Sequence, residues 1–158
     1  MNKLSFFFHN YSDKQELIRF TDSKASAILV VNGILISGFY MVFNSIEIIC
    51  LRYVLASLFT LCVFFSLYLI LMRVFSPRFK NENKTIMLPN IKKLSIDEYV
   101  DDVKTNASES NIEKDLIEQT YYMTDIFFEK NKYLKIAFKS TCISILLLAL
   151  SAFFAISP

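Results

Sequence analysis

Residues 53–71 read YVLASLFTLCVFFSLYLIL, a run without a charge, a Gly or a Pro. A helix of that length rises about 28 Å at 1.5 Å per residue, close to the ~30 Å of a bilayer's hydrocarbon core. Two further blocks have the same character. Residues 25–43 read ASAILVVNGILISGFYMVF and are also uncharged. Residues 136–156 read IAFKSTCISILLLALSAFFAI, with the single charge of Lys139 near the start. A buried helix of a water-soluble domain seldom stays uncharged for so long, and in lipid a helix satisfies every backbone polar group internally. The sequence therefore predicts an all-α membrane protein with three transmembrane helices, at 25–43, 53–72 and 136–156. The rest divides into an N-terminal segment, 1–24, a short loop, 44–52, and a long central region, 73–135.

Composition agrees and removes other classes. Of 158 residues, 54% are hydrophobic, 20% are charged and 2 are Gly, with a mean hydropathy of +0.40. Ordinary globular chains are about 45–50% apolar and about 7% Gly. Two Gly do not build a phosphate-cradling loop or a dinucleotide fingerprint. One His and no His/Cys cluster give no expectation of a metal site. No nucleophile–base pair stands out, so neither catalysis nor a cofactor is expected. Cys50, Cys62 and Cys142 lie in or beside apolar blocks and read as buried thiols acting as small apolar residues. Pro77, Pro89 and Pro158 all fall outside the spans, so long unkinked helices are expected.

Charge sets the expected orientation. Loop 44–52 carries Glu47 and Arg52, whereas the other 16 of the 17 Lys and Arg precede residue 25 or lie between Arg73 and Lys139. The positive-inside rule then places the N-terminus and the central region in the cytoplasm and the C-terminus outside. Arg19, Asp22 and Lys24 directly precede the first span, so no cleavable signal is expected.

The central region is sorted by charge. Residues 73–93 sum to +5 and residues 97–118 to −6. The basic stretch reads in two ways. It is an anchor to the anionic inner leaflet, or Arg78, Lys80, Lys92 and Lys93 form an anion site such as a nucleotide phosphate would occupy. Tyr99, Tyr121 and Tyr122 read either as packing residues or as platforms for a base. Capping boxes mark Ser95–Glu98 and Ser110–Glu113 as helix starts, with a short amphipathic helix over 96–104. No Gly or Pro occurs between Asn111 and Ile156, so the second helix is expected to run unbroken into the third span, with Lys130, Lys132, Lys135 and Lys139 snorkelling at the interface. A third box, Ser12–Gln15, places the start of the first helix near Asp13. Phe6, Phe7 and Phe8 before it are read as an interfacial or packing segment.

At 100° per residue, Arg19, Asp22, Ser26, Gly33, Ser37 and Tyr40 share one side of the first helix. Gly33 and Ser37 are four apart, a spacing that permits close helix approach in lipid. This stripe reads as helix packing within or between protomers, or as the lining of a pore in an oligomer. Asn32 lies off the stripe and is the only amide within a span, read as an interhelical hydrogen bond or a functional polar group. Arg19 and Asp22 are spaced to pair on the helix surface.

Four strings carry a family resemblance: Arg19–Ser26 followed by Val31-Asn32-Gly33; Ser76-Pro77-Arg78 after the second span; Leu94–Tyr99; and Lys130, Lys132 and Tyr133 ahead of the third span. Their order and spacing resemble the Pycsar effector transmembrane family over almost the whole chain. The chain also resembles the short membrane effector of Hailong-type defence systems. The resemblance implies anti-phage defence by an effector in the bacterial inner membrane, acting as a homo-oligomer that depolarises or disrupts the membrane. It implies control by a nucleotide made by an operon-encoded cyclase or nucleotidyltransferase. Some members carry a separate cyclic-nucleotide-binding domain, for which 158 residues leave no room. The expected regulatory ligand is accordingly a cyclic nucleotide or a short oligonucleotide, with activation and inhibition both open. A constitutive holin-like lysis protein and a non-conducting structural membrane subunit are the alternatives. The capped central region argues against the first.

Overall fold

The computed structural model describes residues 3–75 and 109–156. Among these residues the chain is helical apart from one short loop and has no strand. Helix α1 spans Lys3–Phe43 and α2 spans Ile49–Leu69, continued by a single π-helical turn, Ile70–Val74. Helix α3 spans Glu109–Ile156. All three are long and apolar enough to cross a membrane. The Ser95–Glu98 box and the expected helix over 96–104 lie outside the described residues, and the expected start at Ser110 falls at their edge.

Helix α1 begins ten residues before the expected Asp13. Ser12 and Phe6–Phe8 are helical, and Phe6 meets Phe7 edge-on at 5.7 Å. A capping residue marks where a helix can start, but nothing upstream of Ser12 breaks one, so the helix propagates past it.

The chain divides into two compact units, Met1–Glu16 with Pro77–Ile126, and Leu17–Ser76 with Phe127–Pro158. In the first, Leu116 is buried and Thr120 and Thr124 return their hydroxyls to the carbonyls of Leu116 and Thr120. Tyr121 stands 65% exposed and makes an edge contact with Tyr122, so it is not a core residue.

The second unit holds the spans. One face of α1 is buried: Thr21, Ala25, Ile28, Asn32, Leu35 and Phe39, at helical spacing. Helix α2 runs antiparallel to it. Phe39 stacks on Phe59 at 4.2 Å, Asn32 meets Ser66, and Ala25 and Ile28 pack in one cluster with Leu69, Ile70 and Val74. Helix α3 runs parallel to α1 in a nearly constant register: Asp22 meets Lys130, Asn32 meets Thr141, and Gly38 lies beside Leu148.

The π turn keeps α2 in contact to its end. The buried positions of α2 drift around an ideal helix by the time they reach Val74. The wider turn, closed by the Phe75 amide donating to the Ile70 carbonyl at 3.0 Å, adds one residue and brings Val74 back beneath Ile70. Both are fully buried. The three cysteines are free. Cys50 is exposed, and Cys62 and Cys142 are half-buried, which corrects the expectation of buried thiols.

Candidate functional site

In hydrocarbon a polar side chain must find its partner within the protein, because lipid offers none. Most hydroxyls here do so locally. Thr21, Ser26, Ser37, Ser144 and Ser151 each donate to the carbonyl four residues earlier, at 2.8–3.2 Å. Three side chains, one from each helix, bond to one another. The Asn32 Nδ2 donates to Ser66 Oγ at 3.0 Å, Ser66 Oγ lies 3.0 Å from Thr141 Oγ1, and Thr141 Oγ1 donates to Asn32 Oδ1 at 3.2 Å.

In one proton arrangement the cluster closes a ring: Asn32 gives an amide proton to Ser66, Ser66 its only proton to Thr141, and Thr141 its only proton back to Asn32; in the others a hydroxyl proton goes to the Ala137 carbonyl. Each helix contributes one member. The Ala137 carbonyl, 3.2 Å from Ser66 Oγ and 3.1 Å from Thr141 Oγ1, is a second acceptor for either hydroxyl. Asn32 and Ser66 are fully buried and Thr141 is 3% exposed. Interhelical bonds of this kind average about 0.6 kcal/mol each in membranes, so the ring supplies about 2 kcal/mol. Their larger effect is geometric, since the ring closes in only one register of the three helices. Beside it, the Ser140 hydroxyl donates to the Cys62 carbonyl at 2.8 Å and joins α3 to α2 again.

A second polar contact lies ten residues earlier on α1. Lys130 Nζ is 2.7 Å from Asp22 Oδ1, with the lysine side chain 8% exposed and the carboxylate side 35% exposed. Lys130 was expected to snorkel, but it shares a face with Leu134, Ala137 and Thr141, so its stem enters the bundle, where Asp22 waits. The expected Arg19–Asp22 pair does not form; Asp22 turns to α3. Lys24 lies over the Phe20 ring at 4.2 Å. Between the ion pair and the ring sits a dry apolar cluster of Ala25, Ile28, Leu69, Ile70, Val74, Leu134 and Ala137.

Two polar contacts at separate depths thus hold α1 and α3 in one parallel register. With that arrangement in view, the comparison with known proteins is direct: the family model described as the Pycsar effector protein domain matches residues 6–157. The chain belongs to the Pycsar effector family. A search of the curated proteins and of the solved structures finds no significant match. Pycsar effectors are generally regulated by a cyclic nucleotide signal from a partner cyclase. This Pycsar effector is accordingly an anti-phage defence effector and a multi-pass protein of the inner membrane.

The sequence-derived site residues of the effector fall into three groups. Asp22 and Asn32 enter the two interhelical contacts. Ser26, Gly33 and Ser37 lie on the exposed side of α1, about 130° around the helix from the buried face. Nothing stands within 4 Å of a Cβ built on Gly33, so this stripe does not pack within the protomer. Arg78, Lys80, Lys92, Lys93 and Tyr99 lie outside the described residues.

Sequence reasoning missed Ser66, Thr141 and the buried role of Lys130. A depth count would have found the first two. Asn32 lies eight residues inside Lys24, Ser66 seven inside Arg73 and Thr141 six inside Lys135, so the three polar residues sit at one level of their spans.

Proposed function

We propose that this effector is a non-enzymatic, homo-oligomeric channel-like assembly that depolarises or disrupts the inner membrane, with its N-terminus and residues 73–135 in the cytoplasm. A nucleotide signal, a cyclic nucleotide or a short oligonucleotide made by a partner cyclase or nucleotidyltransferase, controls it. The observation that carries the reading is the packing of the three spans on one another. Phe39, Phe59 and Val63 pack in one buried cluster, and the polar ring is satisfied internally. Three helices alone do not enclose a conducting pore, so conduction requires several chains. The exposed side of α1, with Ser26, Gly33 and Ser37, is a small-residue face open to a second copy.

The signal acts by shifting a closed–open equilibrium, and only by its differential affinity for the two states. Arg78, Lys80, Lys92 and Lys93 are the anion contacts and Tyr99 a base contact in this reading. The contacts Asp22–Lys130 and Asn32–Ser66–Thr141 hold the closed register.

The test is expression of the chain alone and together with its operon neighbours, following membrane potential and growth. Depolarisation only with an active cyclase supports activation by the signal. Depolarisation that a nucleotidyltransferase neighbour suppresses supports inhibition. Intact membrane potential in every combination would overturn the reading and favour a non-conducting subunit. Depolarisation indifferent to every neighbour favours a holin-like protein.

A further inference from the structure

We infer that Arg73, Lys132 and Tyr133 form a binding site for a phosphate group at the Asp22 end of the three-span bundle. Its centre is the Tyr133 ring, half-buried and packed against the cluster of Ala25, Ile28, Leu69, Ile70, Val74, Leu134 and Ala137. The core therefore fixes the ring. The Arg73 guanidinium lies 5.3 Å from the ring centroid and the Lys132 ammonium 6.0 Å from it. The shared ring limits the separation of the two cations to at most about 11 Å.

Neither cation forms an ion pair among the described residues. The neighbouring Lys130 is different, because Asp22 neutralises it at 2.7 Å. Two like charges on one fixed ring, with no carboxylate paired to either among the described residues, attract an anion. The donor set suits phosphate: a planar guanidinium fork, an ammonium and a phenolic hydroxyl.

The π turn gives this arrangement a structural origin. By returning Val74 to the core, the added residue also sets Arg73, one position earlier, against Tyr133. Arg73 directly follows the uncharged run 53–71 and Met72, and Tyr133 lies three residues before the third apolar block at 136, which in this reading places the site at headgroup depth. A phosphate there comes from an anionic phospholipid or from a soluble phosphate compound, and the same donors serve both.

The experiment uses the full chain in nanodiscs of phosphatidylcholine with or without phosphatidylglycerol, with retained lipid counted by native mass spectrometry. A parallel arm titrates inorganic pyrophosphate into the phosphatidylcholine discs. At about one surface cation's worth of attraction per residue, Arg73→Gln and Lys132→Gln each weaken binding about five-fold and the double variant about thirty-fold. Lys24→Gln removes the same charge from α1 and is expected to leave binding unchanged. Lys132 is exposed, so its variant carries the test even where Arg73→Gln disturbs the π turn. Dependence on Arg73 and Lys132 in the phosphatidylglycerol arm supports the site with lipid as its source. The same dependence confined to the pyrophosphate arm supports it with a soluble source. Equal losses from Lys24→Gln and Lys132→Gln would mean a diffuse surface field and overturn the site, as would binding in neither arm.

Discussion

Removing either partner of the Asp22–Lys130 contact deletes the same ion pair, yet the two deletions should differ in cost. Lys130 is the deeply placed member, with a side chain 8% exposed against 35% for Asp22. Asp22→Ala leaves an ammonium among Leu134, Ala137 and the rest of the apolar cluster. A buried charge stripped of its partner costs about 3–5 kcal/mol. Water reaches the vacated carboxylate position, which lowers this to about 2 kcal/mol, or about thirty-fold in the folding equilibrium. Lys130→Met removes the charge and keeps an apolar stem in the same space. Asp22 then rehydrates through its open side, at a cost below about 1 kcal/mol. The double variant should match Lys130→Met alone, giving a coupling energy of about 2 kcal/mol in the mutant cycle. Reversible unfolding in mixed detergent micelles, followed by far-ultraviolet circular dichroism, measures all three. Equal costs for the two single variants, or a larger cost for Lys130→Met, would refute the assignment of Lys130 as the buried partner.

Other outcomes follow from the same contacts. Asn32→Leu opens the hydrogen-bonded ring but leaves Ser66 and Thr141 the Ala137 carbonyl, so stability should fall by only about 1–2 kcal/mol in the same unfolding assay. Its functional effect should be larger, as depolarisation that needs less of an activating signal or more of an inhibitory one to suppress it, because the register is no longer unique. Gly33→Leu enters open space and should leave the unfolding of the monomer unchanged. If the exposed side of α1 meets a second copy, the variant should lose the oligomer on size-exclusion chromatography and lose depolarisation; an intact oligomer would place the interface elsewhere. Replacing Arg78, Lys80, Lys92 and Lys93 together with Gln should abolish signal control while leaving the three-span bundle folded. For an oligonucleotide signal, wild-type binding should weaken steeply as salt rises.

The three spans were legible because their signal is local. Lipid demands about 20 apolar residues with all backbone bonds satisfied inside the segment, and uncharged runs such as 25–43 and 53–71 meet that condition without reference to anything else. The unbroken course of α1 and α3 followed equally from the absence of Pro and the rarity of Gly. Asn32 stood out for the same reason, as an amide in an apolar block. The π turn was not legible. Ile70–Val74 has no composition that marks it, and the extra residue exists to hold Val74 on a face defined by α1 and α3.

What the sequence determined by itself was the number of spans and the positions where polarity would have to be reconciled with lipid. Which polar residues meet was decided only by the tertiary structure. The helical period alone grouped Asp22 with Arg19, Ser26 and Gly33 on one stripe. Packing then buried a different face, about 130° away, drew Asp22 to Lys130 and left Ser26 and Gly33 open. A helix's own period states which residues share a side. Which side turns inward depends on partners more than thirty residues away for Ser66 and more than one hundred for Lys130 and Thr141, and no local rule reaches across that separation.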